Sequence, residues 1–187
     1  REGYRANRGD RCYFCKSELF ERGERLREEH DLKWIVDGTN HDDLSDIRPG
    51  LRAAAQMNVR HPLVEAGMDK RAVRLLAKSL GVSVWNKPAF ACLGSRFPVG
   101  TRVDAEKLSR VDMAERAVRR EGFHQFRVRW HEVGGDVLAR IEVSPEEISQ
   151  LVEPGIRERV VTACLHAGFR WVSLDMLGYH SSDAVMS

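Results

Sequence analysis

The sequence predicts a mixed α/β fold in two regions, an α/β region up to about residue 90 and a smaller α+β unit after it. In the first region a short apolar strand at residues 33–36 ends in the polar run Asp37-Gly38-Thr39-Asn40. Ligands of open α/β sheets bind at such strand ends, so we expect this run to lie near a ligand. In the second region the periodicities follow one another as helix, strand, strand, helix, strand, which is an α+β order.

Three helices are predicted in the first region, one of them a small helix after Arg48-Pro49-Gly50. Apolar residues separated by charges over residues 10–30 predict an amphipathic helix that carries Cys12 and Cys15. Asp69 predicts the N-cap of another helix, which extends to Leu80 and ends at Gly81.

The second region follows an irregular connection at residues 85–100, which contains two prolines and several glycine and serine residues. Asp104 predicts the start of a helix with apolar residues at helical spacing, and Gly122 predicts its end. Ser144 predicts the N-cap of a later helix, in the sequence Ser-Pro-Glu-Glu. The remaining pattern predicts three strands, at residues 126–130, 137–143 and 171–174.

The composition indicates a globular cytoplasmic protein. Hydrophobic residues make up 42% of the 187 residues, which is enough for one core or two small ones. No run approaches the about 18 apolar residues of a membrane span, and the polar start is unlike a signal peptide. The 30 basic and 28 acidic residues leave a formal charge of +2, which argues against bulk binding of nucleic acid. Because the chain begins at Arg1 and not at methionine, we expect a fragment of a longer protein.

Cys12 and Cys15 are three residues apart, so on a helix both thiols can reach one soft metal centre. The pair alone fits zinc, an iron–sulfur cluster, a redox dithiol, or two buried helix cysteines. A four-thiolate zinc site needs a second close pair, and Cys92 and Cys164 lie far apart in the chain. Three thiolates from Cys12, Cys15 and Cys92 would suit a four-iron cluster with one open iron. Cys164 lies in an apolar helical stretch, which predicts a core position.

Cys92 lies in a loop close to Arg96, where a thiolate would be stabilised and accessible. The alternative is a small buried residue at a domain junction.

Arg127 and Arg129 share one face of a predicted strand, and Arg140 of the neighbouring strand can meet them. Such a cluster suits a phosphate or carboxylate. The alternative is a solvated face whose arginines pair with Glu142. Acidic residues after the first strand offer a similar choice between magnesium ligands and turn residues, at Asp42, Asp43 and Asp46.

Several motifs in order and register resemble the LarE family over essentially the whole chain. They are Arg11-Cys12-Tyr13-Phe14-Cys15-Lys16, the run from Asp37 to Asp43, Arg48-Pro49-Gly50, Pro62-Leu63-Val64-Glu65-Ala66, Lys87-Pro88-Ala89 through Cys92-Leu93-Gly94-Ser95-Arg96, Arg127-Val128-Arg129, Ala139-Arg140-Ile141-Glu142 and Leu174-Asp175.

The resemblance implies an ATP-dependent sulfur transferase of the PP-loop superfamily that builds the nickel-pincer cofactor of lactate racemase. Its substrate would be pyridinium-3,5-biscarboxylate mononucleotide, which ATP and magnesium adenylate before sulfur replaces AMP. In fold, residues 1–90 would be the later part of a Rossmann-like PP-loop domain and residues 91–187 a small α+β domain for substrate and sulfur transfer.

The family has two sulfur donors. In one branch the cysteine matching Cys92 gives up its own sulfur and becomes dehydroalanine. In the other branch a four-iron four-sulfur cluster carries an additional sulfide, and the presence of Cys12 and Cys15 beside Cys92 resembles that branch.

The resemblance also assigns residues and partners. Cys92 and Glu115 would be catalytic, and the substrate and its phosphate would contact Ser95, Arg96, Arg127 and Arg129. Asn40 and Asp43 would lie near magnesium and the nucleotide. The site would lie between the two domains, in a homo-oligomer that hands its product to the nickel-inserting enzyme.

One departure concerns ATP. The family's Ser-Gly-Gly-x-Asp-Ser loop does not occur in these 187 residues, so we expect a missing N-terminal segment or, alternatively, a natural degenerate member. Other classes that the sequence leaves open are a PP-loop enzyme that thiolates transfer RNA and a zinc-stabilised binding module without catalysis.

Overall fold

The computed structural model describes residues 1–45, 49–87 and 91–180. The chain divides into two compact units, Arg1–Ala89 and Phe90–Ser187. Parts of three motifs lie outside the described residues: Asp46 of the acidic run, Arg48 before Pro49, and residues 88–90 before Cys92. None of the helices in the described residues combines the length and apolar composition that crossing a bilayer requires.

The described part of the first unit is built from helices. Its α-helices are α1 (Glu2–Arg5), α2 (Arg11–Glu29), α3 (Pro49–Gln56), α4 (Pro62–Glu65) and α5 (Lys70–Ser79), and a 3-10 helix covers His41–Ser45. The core joins Phe20 of α2 to Ala53 and Ala54 of α3 and to Val59. Burying a phenylalanine side chain of this kind contributes about 1.5–3 kcal/mol. The helix predicted over residues 10–30 is therefore confirmed as α2, and Phe20 fixes its buried face.

The strand predicted at residues 33–36 is wrong for the described chain. Val36 forms only an isolated parallel bridge to Arg60. Two backbone hydrogen bonds hold it, from Arg60 N to Ile35 O at 3.0 Å and from Asp37 N to Arg60 O at 3.1 Å. A strand needs a neighbour along its length to pair its backbone groups, and the described residues of this unit supply one point of contact. The Rossmann-like core predicted for residues 1–90 is likewise not found among them.

Helix α5 confirms the predicted cap. Asp69 accepts a hydrogen bond from Ala72 N at 2.7 Å, and Gly81 takes a positive φ of 70° just after the helix. Two apolar residues of this segment, Leu76 and Leu80, are nevertheless exposed. The local signals thus determine where the helix begins and ends, whereas burial depends on what packs against it.

The second unit is an α+β structure with a three-stranded sheet. Strand β1 (Phe126–Val133) pairs antiparallel with β2 (Asp136–Val143), and β2 pairs parallel with β3 (Trp171–Leu174). The helices are α6 (Ala105–Arg120), α7 (Ile148–Leu151) and α8 (Pro154–His166), with 3-10 helices at Leu93–Arg96 and Pro145–Glu147. The predicted order of helix, strand, strand, helix, strand is confirmed, and so is the mixed α/β character of the chain.

The core of this unit lies between one sheet face and the helices. Val128 and Trp130 of β1 and Ile141 of β2 alternate with outward side chains, and α6 adds Val111 and Val118. The predicted cap at Asp104 is confirmed by its bond from Lys107 N at 2.8 Å.

The predicted helix after Ser144 needs correction. Ser144 stands at the N-cap of a 3-10 turn that continues into α7, but its side chain makes no capping hydrogen bond. Proline at the next position has no N–H to satisfy and fixes its own φ, so the turn can begin without a side-chain cap.

A tight turn sets the register of β1 against β2. Gly134 and Gly135 connect the strands with positive φ values of 59° and 90°, the conformation that a two-residue type I′ turn requires. This register places Arg129 opposite Arg140 and Arg127 opposite Glu142. Directly opposed side chains point to the same face, so the turn determines which charged groups meet.

Candidate functional site

Three arginines surround one buried carboxylate on the sheet face opposite the core. Arg129 Nε donates to Glu142 Oε1 at 2.8 Å, and Arg140 Nη2 donates to the same oxygen at 3.1 Å. Arg127 Nη1 lies 3.9 Å from Glu142 Oε2, and Arg140 Nη1 lies 3.4 Å from Asp175 Oδ2. Three guanidinium groups against two carboxylates leave the cluster positively charged.

The arginine side chains of this cluster are partly exposed to solvent, whereas the Glu142 side chain is buried. The Glu142 side chain is 0% exposed, while those of Arg127, Arg129 and Arg140 are 11%, 19% and 36% exposed. The predicted pairing with Glu142 is therefore confirmed, but the carboxylate is buried beneath the arginines and is not part of a solvated face. A buried carboxylate holds guanidinium groups in fixed positions, which favours recognition of an anion from the open side.

Two polar atoms of the cluster have unused hydrogen-bonding capacity within the described residues. Arg140 Nε and Glu142 Oε2 are buried without a hydrogen-bond partner there. Buried polar groups are nearly always satisfied in folded proteins, so this guanidinium N–H is available to donate to an acceptor at this place.

His131 extends the same face of β1 and was not singled out by its sequence context. Its Nε2 is also buried without a hydrogen-bond partner among the described residues. Burial lowers the pKa of His131, and the charges of Arg140 and Arg129 lower it further, against a smaller opposing effect of Glu142. The spacing of Arg127, Arg129 and His131, each two residues apart on one strand, is the signal that could have found it.

The loop that carries Cys92 contacts this cluster within the second unit. Cys92 is exposed and stands at the N-cap of the 3-10 helix Leu93–Arg96. Ser95 Oγ donates to Cys92 O at 2.7 Å, and Arg129 Nη1 donates to Ser95 O at 2.9 Å. The structure therefore brings together four of the predicted site residues: Cys92, Ser95, Arg127 and Arg129.

Arg96 and Glu115, also predicted for the site, form a buried ion pair behind this loop. Arg96 Nε donates to Glu115 Oε1 at 2.6 Å, and Arg96 Nη2 donates to Glu115 Oε2 at 3.3 Å. Glu115 Oε1 also accepts from Val128 N at 3.1 Å. Their predicted contacts with the reacting groups stay a prediction.

Cys12 and Cys15 are both exposed on α2, near the start of the helix. Their spacing fits two ligands of one metal centre, and the third predicted ligand, Cys92, belongs to the second unit. Among residues 1–45, 49–87 and 91–180, no group of three or more His, Cys, Asp or Glu side chains is arranged to hold a metal ion. The three-cysteine cluster therefore stays a prediction. Cys164 is buried as predicted, and burial raises the pKa of its thiol to about 11.

Asn40 and Asp43 take part in turn hydrogen bonds of the first unit. Asn40 N donates to Asp43 Oδ2 at 3.1 Å, and Asn40 Oδ1 accepts from Asp42 N at 3.0 Å. Asp42 Oδ2 accepts from Lys70 N at 3.0 Å, which ties this turn to α5. The turn role is thus present, and the proximity of Asn40 and Asp43 to magnesium and a nucleotide stays a prediction.

Asp37 and His61 form a pair that the sequence did not indicate. His61 Nδ1 and Asp37 Oδ1 are 2.7 Å apart. Burial alone would raise the pKa of Asp37, but hydrogen bonds from Thr39 N and from His61 outweigh it and leave the pKa lowered. Asp37 is therefore held as a carboxylate after the short segment that contains Ile35 and Val36.

The chain is similar along nearly its whole length to several curated proteins. It is 44% identical over 178 residues to protein slr1717 of Synechocystis sp., and this match covers 95% of this chain and 65% of that protein. It is 34% identical over 175 residues to the pyridinium-3,5-bisthiocarboxylic acid mononucleotide synthase of Lactiplantibacillus plantarum, covering 94% of this chain and 61% of the synthase. It is 30% identical over 172 residues to protein MJ0830 of Methanocaldococcus jannaschii, covering 92% and 65%. No protein-family model matches the chain.

The chain thus spans less than two thirds of the length of each of these relatives. The alignment with a synthase of that name supports the resemblance that the motifs indicate.

Proposed function

We propose that this chain is part of an ATP-dependent sulfur transferase that converts pyridinium-3,5-biscarboxylate mononucleotide to its bisthiocarboxylate, a step in building the nickel-pincer nucleotide. The alignment with the synthase supports the substrate class. The observation that carries the proposal is the hydrogen bond from Arg129 to Ser95 O, because it joins an anion-binding cluster to the loop of an exposed cysteine.

The chemistry follows from the substrate. A carboxylate is a poor electrophile until it carries a leaving group, and adenylation by ATP supplies AMP as that group. A sulfur nucleophile then attacks the acyl carbon, the acyl–sulfur bond forms, and AMP departs with the electron pair of the broken acyl–oxygen bond. If Cys92 is the donor, loss of its Cα proton breaks its Cβ–S bond, which releases the thiocarboxylate and leaves dehydroalanine.

The alternative donor is a sulfide on a four-iron four-sulfur cluster. Cys12, Cys15 and Cys92 are the residues that would hold the cluster, and when bound it would supply that sulfide. In either case we propose that Cys92 is required for the transfer, as the sulfur donor itself or as a ligand of the cluster. The exposure of all three thiols supports a role outside the protein core.

We further propose that Arg127, Arg129 and Arg140 bind the phosphate of the mononucleotide. Arg129 and Arg140 are held in place by hydrogen bonds to Glu142, and their orientation and the available Nε of Arg140 suit an acceptor-only dianion. The phosphate of AMP offers the same chemistry, and competition between AMP and the substrate in a binding assay distinguishes the two.

The experiment uses the full-length gene product that contains this chain, purified without oxygen and supplied with ATP, magnesium and the mononucleotide. We expect a product in which sulfur has replaced oxygen, detected by mass spectrometry, and none from Cys92→Ala. Cys164→Ala is the matched control, because Cys164 lies in the core of the same unit. A Cys92→Ala variant that forms product at the normal rate would contradict the proposal.

The same preparation separates the other classes. Iron with acid-labile sulfide that is lost in Cys12→Ala, Cys15→Ala and Cys92→Ala supports the cluster as donor. Loss of the mass of hydrogen sulfide from Cys92 after reaction supports the cysteine itself. Zinc without iron and without product would indicate a binding module, and thiolation of transfer RNA in place of the mononucleotide would indicate the RNA-modifying class.

A further inference from the structure

Arg96 and Glu115 have no polar atom left over for a substrate. Arg96 Nε and Nη2 bind the Glu115 carboxylate, and Arg96 Nη1 donates to Ala91 O at 3.3 Å and to Ser95 Oγ at 2.9 Å. Glu115 adds the bond from Val128 N. The two side chains are 2% and 5% exposed. A buried charge pair with this many satisfied groups is a fixed structural element and not a binding surface.

The bonds of Arg96 hold the Cys92 loop at two points. Ala91 precedes Cys92 and Ser95 follows it, and both are bound by the same Nη1 atom. Ser95 Oγ also donates back to Cys92 O. The segment between these two points therefore forms a short arch over the guanidinium group, with Cys92 on its exposed side.

Glu115 and Arg129 attach this arch to the rest of the unit. β1 is an edge strand that pairs only with β2 in the described sheet, and the Val128 N–H on its outer edge is taken by Glu115 of α6. Arg129 of β1 also donates to Ser95 O. The arch is thus tied to α6 and β1 through charge-assisted bonds.

We infer that Arg96 and Glu115 are positioning residues, which hold Cys92 at a fixed place beside the arginine cluster and do not touch the substrate. This inference rests on the proposed function for the role of Cys92. It also replaces the catalytic role that the resemblance implies for Glu115. Their loss lowers the rate of sulfur transfer while the arginine cluster continues to bind the mononucleotide.

The test compares Glu115→Gln and Arg96→Lys with Arg127→Ala, all in the full-length protein. Hydrogen exchange of peptides that cover residues 91–97 reports the loop without depending on activity. Because hydrogen bonds to charged groups are lost, we expect at least about tenfold faster exchange in Glu115→Gln and Arg96→Lys. We expect both variants to lose kcat with the dissociation constant of the substrate unchanged, and Arg127→Ala to weaken substrate binding with loop exchange unchanged.

A double variant guards against misfolding. Arg96→Met with Glu115→Leu removes both charges together, and replacing a buried ion pair by apolar residues of similar volume is often neutral for stability. We expect this variant to fold, to exchange rapidly at residues 91–97 and to remain slow in sulfur transfer.

The outcomes separate this inference from the proposed function. Loop exchange at the wild-type rate in Glu115→Gln and in the double variant would overturn the positioning role. A Glu115→Gln variant with unchanged loop exchange and an altered pH profile of kcat would assign proton transfer to Glu115 and also overturn it. If the variants show rapid loop exchange but the wild-type protein forms no thiocarboxylate, the arch is supported and the proposed function is refuted.

Discussion

Replacing Glu142 by glutamine removes the negative charge beneath three arginines without changing the size of the side chain. The glutamine carbonyl can still accept from Arg129 Nε, which bonds Oε1 at 2.8 Å in the wild type. Its amide group, however, replaces the charged oxygen that lies 3.9 Å from Arg127 Nη1 and points hydrogen atoms toward that guanidinium. The three like charges of Arg127, Arg129 and Arg140 then face one another, and among the described residues Asp175 is the carboxylate that still pairs with one of them.

The expected loss of stability follows from burial. Breaking a buried ion pair on one side costs about 3–5 kcal/mol when the remaining charge is sealed from water. The arginine side chains here are 11% to 36% exposed, so water screens part of the repulsion. We therefore expect Glu142→Gln to destabilise the second unit by about 2–3 kcal/mol. Millimolar sulfate should reverse the effect, since an anion at 100 times its dissociation constant contributes about 2.7 kcal/mol.

Hydrogen exchange of peptides from β1 and β2 measures this change in the second unit directly. A loss of about 2–3 kcal/mol speeds exchange of the most protected amides about thirty- to 150-fold. Sulfate is compared with chloride at equal ionic strength, and Glu158→Gln at an exposed position of α8 is the matched control. If Glu142→Gln exchanges as slowly as the wild type, or if sulfate does not slow it, Glu142 does not hold the arginines as described.

Three further predictions test separate features. Alkylation of the native chain at neutral pH should modify the three exposed cysteines and spare Cys164, because burial raises the pKa of its thiol to about 11. Mass spectrometry after denaturation shows which cysteines carry the alkyl group. Rapid modification of Cys164 in the native chain would refute its core position. Asp69→Ala should destabilise α5 by about 1 kcal/mol, whereas Asp69→Asn should not, because asparagine can still accept the hydrogen bond from Ala72 N. Hydrogen exchange of the α5 amides measures both changes. If the two variants change this exchange equally, the cap bond to Ala72 N contributes nothing. The pKa of His131 is lowered in the folded state, so as the pH falls through the ordinary histidine range the unfolded state takes up the proton first and the free energy of unfolding decreases. In denaturant titrations at several pH values, His131→Gln should make this decrease smaller. An unchanged decrease would contradict the lowered pKa.

Local signals in the sequence predicted the elements that need only neighbouring residues. Asp69 and Asp104 cap helices because their carboxylates reach backbone N–H groups three residues on. The antiparallel strands β1 and β2 follow from alternation on either side of Gly134 and Gly135. The strand at residues 33–36 failed for the opposite reason, because apolar residues form a strand only where another strand pairs with them.

The sequence predicted most residues of the candidate site, but it did not predict the hydrogen bonds and ion pairs between them. Alternation correctly placed Arg127 and Arg129 on one strand face, yet full burial of Glu142 depends on cross-strand packing that no local pattern records. Arg96 and Glu115 lie 19 residues apart in a loop and a helix, so their ion pair has no sequence signature. The resemblance supplied both residues, and the structure shows that they bind each other.

The central claim is that the protein supplies the sulfur, from Cys92 or from a cluster that Cys92 helps to hold, and isotope tracing tests it most directly. The full-length protein is loaded with a heavy sulfur isotope, in its cysteines or in its labile sulfide, and is allowed one turnover with unlabelled ATP, magnesium and mononucleotide. We predict a thiocarboxylate product that carries the heavy isotope, and no labelled product from Cys92→Ala. A labelled wild-type protein that forms only unlabelled product, or none, would contradict the account.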